Sequence, residues 1–294
     1  MEKQTVAKRR TSFYFEGMLV SPSVISQAAT PAGRPSDVSR ESPTSSVDKA
    51  VSLLIAFSHT SGGATLTELA REAGVSKSTA HRLLGMLRSA GLVDRDEMDW
   101  YLRSPVLRLG ALALRGEAGI LREVALPYMT ELYEETHENV HLALLEGDEV
   151  VYLEKLYGHR STPAPSRVGH RVPCHTSGLG KAMLAFSGEP AVRRVVADGL
   201  RPASARSVTV PGVFLRQLEA VRTDRVAYDR EETWLGLTCV AAPILGPSGR
   251  PVAAISVAGC SRTMNLDALA PKVRAAATQI GRKTGPDVDL LAAG

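Results

Sequence analysis

The chain has 294 residues and a mass of 31.4 kDa, a size that favours two domains over one. Hydrophobic residues make up 44% and charged residues 22% of it, and no apolar run approaches the roughly 18 residues of a membrane-spanning helix. A net charge of +4 allows an anionic partner, and three scattered cysteines fit a reducing compartment rather than a disulfide framework. We therefore expect a cytoplasmic protein that is not inserted in a membrane.

The two ends of the chain are predicted to lack a fold. From position 21 onward, residues 1–45 are rich in Ser, Thr and Pro, so they bury too little apolar surface to offset chain entropy. Residues 285–294 are predicted to form a flexible C-terminal tail. The folded part of the chain is expected between these two segments.

Residues 46–104 show the pattern of a winged helix-turn-helix domain. A first helix with apolar residues at helical spacing is expected to begin at Ser46 as its N-cap. A short second helix is expected to begin at Thr65, with Glu68 completing a capping box. A tight turn at 74–76 leads into a third, longer helix, and such an arrangement is typical of DNA-binding domains.

The third helix carries the residue types that read DNA. Free N–H groups at a helix start and serine hydroxyls suit phosphate, and an arginine fork suits guanine in the major groove. A basic face on a structural helix would look the same in isolation, but the preceding helix, the turn and a predicted two-stranded wing around the polar segment 94–99 favour nucleic acid. The candidate DNA-binding residues are Ser76, Lys77, Ser78, Thr79, His81 and Arg82 on the helix and Arg95 in the wing.

The rest of the chain predicts a linker and a second domain. Ser104-Pro105 is a good helix start, and residues 105–119 are predicted to form a linker helix. Residues 120–284 then show helices and two hairpins without regular alternation. This pattern indicates an α+β domain of the sensor type.

One segment suggests an enzyme. His137-Glu138-Asn139-Val140-His141 matches H-E-x-x-H, which binds zinc in metal-dependent hydrolases when both histidines lie on one helix. Here the residues after Asn139 predict a strand, and a strand separates positions i and i+4 by about 13 Å, too far to share one zinc. We therefore expect no metal, no cofactor and no catalytic residue, with a hydrolase as the alternative. A sensor module whose helix-turn-helix serves only protein contacts is a second alternative.

A second helix start is a candidate ligand site. Thr176 or Ser177 can cap a helix over 177–186, and Gly178 would let a ligand approach the backbone. Free N–H groups there could hold a small carboxylate, although ordinary capping explains the same residues.

Four blocks of sequence together resemble the IclR family of bacterial transcription regulators. They are STAHRLL at 78–84, VGHRVPCHTSGLGKA at 168–182, YDREE at 228–232 and CVAAP at 239–243. The resemblance extends from about residue 46 to 284. It implies a winged helix-turn-helix domain, a linker helix and a GAF-like effector-binding domain. It also implies a dimer or a dimer of dimers on double-stranded promoter DNA, with a small organic or aromatic acid as effector.

By this resemblance, the effector pocket is expected to contain Ser177, Gly178, Asp229, Leu237, Cys239 and Ser256. Ala258 stands where some relatives carry a serine, which favours a more apolar ligand. We expect the ligand carboxylate at the helix start near Ser177 and Asp229 at the ligand's other end, because two adjacent carboxylates would repel. The sequence thus predicts a ligand-responsive repressor or activator of catabolic genes.

Overall fold

The computed structural model describes residues 45–60, 63–113, 116–159 and 166–284. The two predicted tails lie outside these ranges, apart from Ser45. The described residues form a small N-terminal domain with a three-stranded sheet and a larger domain built on a six-stranded antiparallel sheet. The predicted α+β class is confirmed.

Three helices surround the core of the N-terminal domain. They are α1 (Ser46–Ala56), α2 (Leu66–Glu72) and α3 (Lys77–Ser89), with a 3-10 turn (Phe57–His59) after α1. The N-cap of α1 is Ser45 and not the predicted Ser46, because Ser45 forms a capping box with Asp48 through two hydrogen bonds of 3.0 Å. The capping box predicted for Thr65 and Glu68 is confirmed, with Thr65 N–H donating to Glu68 Oε2 at 2.9 Å.

The predicted wing is confirmed as a hairpin of β2 (Val93–Asp96) and β3 (Asp99–Leu102). A third strand, β1 (Ala64–Thr65), pairs with β3 and was not predicted. Gly91 has φ +74, so it ends α3 in the left-handed region that glycine adopts at low cost. Trp100 of β3 is buried against the helices and fixes the wing to the domain core.

The linker helix is shorter than predicted. Instead of a helix over 105–119, α4 (Ser104–Ala113) is followed by a second helix, α5 (Glu117–Thr136), with residues 114–115 outside the described ranges. Gly116 has extended dihedral angles and is the N-cap of α5. Because glycine is a poor helix residue and favours such positions, the helical pattern is interrupted there.

The larger domain is a sheet with helices on both faces. Its strands are β4 (Asn139–Glu146), β5 (Glu149–Leu156), β6 (Arg171–Pro173), β7 (Ala227–Arg230), β8 (Leu237–Leu245) and β9 (Pro251–Cys260), in the spatial order β6-β5-β4-β9-β8-β7. Its helices after α5 are α6 (Gly178–Leu184), α7 (Glu189–Ala197), α8 (Pro211–Asp224) and α9 (Leu266–Lys283). Helices α5 and α9 share one apolar core with the sheet, and α6, α7 and α8 share the other.

Strand alternation places polar side chains on the α6 face of the sheet. On β8, Val240 and Ala242 point into the α5–α9 core, and their neighbour Ala241 points into the α6 core. His141 of β4 pairs with Ser256 of β9, which in turn pairs with Ala241. His141 and Ser256 are therefore buried on the same face as α6.

None of the described helices combines the length and the apolar character needed to cross a membrane.

Candidate DNA-binding and effector sites

The start of α3 presents an exposed polar face. Ala80 and Leu84 on its inner side are fully buried in the domain core. The predicted reading residues Ser76, Lys77, Ser78, His81 and Arg82 are all exposed, and Thr79 is half-buried. The outer side of this helix is thus exposed to solvent, as the helix that enters a DNA groove must be.

The hydroxyl groups at this helix start are partly committed to capping. Ser76 Oγ accepts a hydrogen bond from Thr79 N–H at 3.2 Å and lies 3.0 Å from Ser78 Oγ. Ser76 Oγ also donates to Thr79 Oγ1 at 2.9 Å. Since Ser76 gives its one hydroxyl hydrogen to Thr79, it can only accept from Ser78, so the hydroxyls of all three residues take part in this network.

The positive charge of this face is concentrated on two residues. Within the described part of the chain, neither Lys77 nor Arg82 forms a salt bridge. Arg88, further along α3, pairs instead with Asp94 at 2.9 Å. In the wing, Arg95 donates to the Glu97 carbonyl oxygen at 2.9 Å and its guanidinium carbon lies 5.9 Å from the centroid of the Trp100 ring. Lys77 and Arg82 are thus available to an anionic partner.

The H-E-x-x-H segment is not a helical zinc motif. His137 caps the C-terminus of α5 with φ 56, and His141 lies in β4, as the strand prediction required. Nowhere in the described ranges do three or more His, Cys, Asp or Glu side chains come together as metal ligands could. His141 instead belongs to a cavity in the larger domain.

A cavity of about 30 Å³ lies on the α6 face of the sheet. Its lining combines hydroxyl, imidazole and carboxyl groups with apolar and aromatic walls. The lining residues are His141, Tyr152, Ser166, His170, Val172, Ser177, Leu179, Asp229, Thr233, Trp234, Leu237, Cys239, Ser256 and Ala258. Polar groups converging in a mostly enclosed space are typical of a small-molecule site.

Five of the six predicted pocket residues line this cavity: Ser177, Asp229, Leu237, Cys239 and Ser256. Gly178 is not among the lining residues, and the approach of a ligand to its backbone stays a prediction. A Cβ atom at Gly178 would lie 2.7 Å from Cys239 Sγ, so the close approach at this glycine is made by the protein itself. Ser177 is confirmed as the N-cap of α6, with Oγ accepting from Gly180 N–H at 3.5 Å.

One end of the cavity is positively charged. Ser166 is buried, and its Oγ lies 2.8 Å from His141 Nε2 and accepts from Lys155 Nζ at 2.9 Å. Burial and the charge of Lys155 lower the pKa of His141 to about 3, so this imidazole is neutral. Burial and the charge of Arg167 lower the pKa of Lys155 to about 8.

The other end of the cavity carries Asp229, which lies on the edge strand β7. Burial raises the pKa of Asp229 to about 6, although hydrogen bonds from Thr233 and Glu232 and the charge of Lys181 oppose this shift. Its Oδ1 accepts from Glu232 N–H at 2.7 Å. The Asp229 backbone nitrogen would lie 3.4 Å from a Gly178 Cβ, so Asp229 and the start of α6 form one wall. Where the two ends of a ligand lie relative to Ser177 and Asp229 stays a prediction.

A buried ion pair lies next to the wall that Asp229 and the start of α6 form. Lys181 of α6 donates to Glu232 Oε1 at 2.6 Å, and the two side chains are only 1% and 5% exposed. Lys181 Nζ also lies 3.4 Å from Gln217 Oε1. Since Glu232 N–H holds the carboxyl of Asp229, the ion pair positions the acidic end of the cavity.

Sequence reasoning missed more than half of the cavity wall. His141 was considered only as a zinc ligand, and the remaining missed residues were Tyr152, Ser166, His170, Val172, Leu179, Thr233 and Trp234. A usable signal existed for one of them. His141 interrupts an otherwise apolar strand, and a buried polar side chain in such a run indicates a function or a dedicated partner.

The exposed reading helix in one domain and the enclosed polar cavity in the other together define a DNA-binding transcription regulator with a ligand-binding domain. Comparison with known proteins agrees. The family profile of the IclR helix-turn-helix domain matches residues 46–97, and that of the bacterial transcriptional regulator IclR C-terminal domain matches residues 118–282.

Related regulators match over most of the chain. The HTH-type transcriptional regulator BhcR of Paracoccus denitrificans is 31% identical over 249 residues, covering 83% of this chain and 88% of that protein. The transcriptional repressor IclR of Escherichia coli is 30% identical over 219 residues, covering 73% of this chain and 79% of that protein. The chain therefore belongs to the IclR family, as its sequence blocks indicated.

Solved structures show the same fold. The IclR structure from Thermotoga maritima has a TM-score of 0.67 at 30% identity and covers 81% of this chain and 98% of that one. An IclR homologue from Microbacterium hydrocarbonoxydans, complexed with 4-hydroxybenzoate, has a TM-score of 0.70 at 28% identity and covers 84% of this chain and 100% of that one. The Paracoccus and Escherichia relatives are regulators of transcription, and the hydrolase alternative has no support among these proteins.

Proposed function

We propose that this regulator binds promoter DNA through α3 and the wing and that a small organic acid, such as a single-ring aromatic acid, changes this binding. The observation that carries the proposal is the cavity on the α6 face, because it joins a basic end to an apolar middle and an acidic end. The 4-hydroxybenzoate complex of the Microbacterium relative supports a ligand of this size and chemistry. The genes it controls are expected to serve the catabolism of that acid.

The polarity of the cavity suggests how the acid is oriented. Lys155, through its bonds to Ser166, and the neighbouring Arg167 make the Ser166 end attractive to a carboxylate. His170 Nδ1 is buried there with no hydrogen-bond partner among the described residues, so it can serve a ligand oxygen. A ligand hydroxyl would then reach Asp229 at the other end. This orientation keeps Asp229 at the end of the ligand away from the carboxylate, as the sequence predicts, but moves the carboxylate from Ser177 to the Ser166 end.

We further propose that the chain is a regulator and not an enzyme, and that it acts in the cytoplasm beside chromosomal DNA. The buried His141 is neutral and held by Ser166, and no metal-ligand cluster accompanies it within the described ranges.

Filling the cavity should abolish ligand binding. Ala258 is buried on the cavity wall, and Ala258→Leu would occupy the space that the ligand needs. We expect at least one acid from a panel of small carboxylic acids that includes 4-hydroxybenzoate to raise the melting temperature of the wild type, and this rise to disappear in the variant. Calorimetric titration with the same acid should show an affinity loss of at least about tenfold.

Ala275→Leu is the matched control, because Ala275 is exposed on α9 and lies outside the cavity lining. It should keep the wild-type thermal shift. If Ala258→Leu binds the acid as tightly as the wild type, the ligand site lies elsewhere. If no acid in the panel stabilises the wild type, the proposed ligand class is wrong.

We propose that the protein works as a homodimer, or as a dimer of dimers, that is held together in part by α4. Three leucines of this ten-residue helix are strongly exposed: Leu107 by 75%, Leu109 by 61% and Leu112 by 55%. An apolar helix surface of this kind is typical of a protein interface. A second copy of the chain fits it best, since palindromic promoter DNA calls for a two-fold symmetric reader.

Polar substitutions on α4 should shift the protein toward the monomer. By light scattering we expect the wild type at twice the chain mass of 31.4 kDa or a multiple of it, and Leu107→Ser/Leu112→Ser at a lower average mass. Met98→Ser is the control, because Met98 is 69% exposed at the wing tip, away from α4. A wild type that stays at 31.4 kDa throughout the micromolar range would contradict a role of α4 in dimerisation.

A further inference from the structure

We infer that Arg167 couples the effector cavity to the DNA-binding domain, so that a ligand in the cavity acts on DNA binding through this side chain. The inference rests on the proposed function, since it names the regulation of the same site.

Arg167 contacts the end of the first helix of the DNA-binding domain. Its Nη1 donates to the carbonyl oxygen of Ser58 at 3.1 Å and to that of Thr60 at 3.0 Å. These carbonyls lie in and just after the 3-10 turn that follows α1. Carbonyl groups at a helix C-terminus lack intrahelical partners and attract a cation. One guanidinium of the larger domain thus holds the end of α1.

Arg167 also belongs to a tight turn that forms part of the cavity wall. His170 N–H donates to the Arg167 carbonyl oxygen at 2.9 Å, which closes a four-residue β-turn. Gly169 has φ +79 at the third position, as a type II turn requires. His170, at the end of this turn, and Ser166, directly before it, both line the cavity. Arg167, which binds the end of α1, is therefore only three positions from His170, which lines the cavity.

The turn is attached to the sheet by cavity residues. Gly169 N–H donates to the Tyr152 carbonyl oxygen at 2.8 Å, and Tyr152 N–H donates to the His170 carbonyl oxygen at 3.1 Å. The Tyr152 and His170 rings stack with a centroid distance of 6.4 Å. A displacement of His170 or Tyr152 by a ligand is therefore passed directly to the turn.

The electrostatics agree with this proximity of the two domains. Burial lowers the pKa of His170, and the charges of His59 and Arg167 lower it further. His59 belongs to the 3-10 turn of the DNA-binding domain. The pKa of His170 thus depends on a charge in the DNA-binding domain, His59, and on one in the larger domain, Arg167.

The size of the cavity indicates that the wall must move. Its volume of about 30 Å³ suits a few water molecules, whereas pockets for small organic ligands measure about 300 Å³ or more. Most of the wall comes from strands and α6, whose side chains are packed into the two cores. The lining residues outside helices and strands are Ser166 and His170 around the turn, Ser177 at the cap of α6, and Thr233 and Trp234. Widening the cavity at the turn would pull Arg167 away from Ser58 and Thr60.

Thermodynamic linkage between the cavity and the DNA-binding face allows a test that does not require the ligand to be known. If the cavity acts on DNA binding, DNA binding must act on the cavity with the same coupling free energy. The probe is a DNA duplex selected by the full-length wild type from a random pool. The readout is deuterium exchange of the peptide that carries the Gly169 and His170 amides, both of which are hydrogen-bonded in this structure.

In the wild type, the bound duplex should change the exchange rate of this peptide by about fivefold or more. In Arg167→Gln the duplex should still bind, because Arg167 lies outside the reading face, but the exchange rate should no longer respond. Arg171→Gln is the matched control, since Arg171 is exposed and pairs with Glu146 and Glu149 within the larger domain. It should respond as the wild type does.

The outcomes separate the two proposals. A wild type that selects no duplex would contradict the proposed function itself. A wild type that binds DNA without any change in this peptide would overturn the coupling through the turn. An Arg167→Gln variant that responds as strongly as the wild type would overturn the role of Arg167 and leave the proposed function intact.

Discussion

Replacement of Lys181 by methionine is expected to destabilise the folded protein by about 3–5 kcal/mol. Lys181 and Glu232 are almost completely buried, and the 2.6 Å ion pair compensates the loss of water around both charges. Without the ammonium group, Glu232 would keep a buried charge, and its Oε2 already has no hydrogen-bond partner among the described residues. Chemical denaturation monitored by circular dichroism would measure the change in the free energy of unfolding.

A double variant shows whether the unpaired carboxylate of Glu232 causes the loss of stability in Lys181→Met. Lys181→Met/Glu232→Leu should recover much of the lost stability, because well-packed apolar side chains can replace a buried ion pair. Arg193→Met is the control for a surface pair, since Arg193 and Glu189 are 75% and 73% exposed, and it should leave stability almost unchanged. A double variant as unstable as Lys181→Met would show that the packing of α6, and not the charge of Glu232, sets the cost.

Replacement of Arg82 by alanine is expected to weaken binding to the selected DNA duplex by about 1–3 kcal/mol, or roughly 5- to 150-fold. The Arg82 side chain is exposed on the reading face and forms no salt bridge with a described residue, so its fork is available to a guanine edge. Its only polar contact in the described structure is a weak one, to Met86 Sδ at 3.7 Å. Fluorescence anisotropy would measure the affinity, and an unchanged melting temperature would show that the fold is intact.

Two further variants separate base reading from charge. Lys77→Ala should weaken binding to all duplexes alike and reduce the salt dependence, as the loss of one phosphate contact does. Arg88→Ala should have a smaller effect than Arg82→Ala, because Arg88 on the same helix is already paired with Asp94. Equal losses for Arg82 and Arg88 variants would show that this helix attracts DNA by net charge alone.

The DNA-binding domain could be predicted in most of its parts because its signals are local. Capping pairs such as Thr65 and Glu68, and a glycine such as Gly91 at a helix end, act within a few residues of one another. The strand at Ala64–Thr65 was missed because it consists of two residues that pair with a distant strand. No periodic pattern can appear in so short a segment.

The cavity could be predicted only in part because its wall is assembled across the sheet. Ser177, Asp229 and Ser256 came from the family resemblance, and the structure brings them together from α6, β7 and β9. Ser166 and His170 come from a segment whose position depends on bonds to β4 and β5, which no local pattern reveals. The close packing at Gly178 escapes the sequence for a related reason, since only the packed structure shows that Cys239 occupies the space beside it.

A small acid in the cavity is expected to control DNA binding. The most direct test is to titrate the full-length protein onto the selected duplex with and without the acid that stabilises the wild type most, and to measure affinity by anisotropy. We predict that the acid changes the affinity of the wild type by about fivefold or more and leaves that of Ala258→Leu unchanged. Equal affinities of the wild type in the presence and absence of a saturating acid would contradict the claim, because a ligand that binds both states equally shifts no equilibrium.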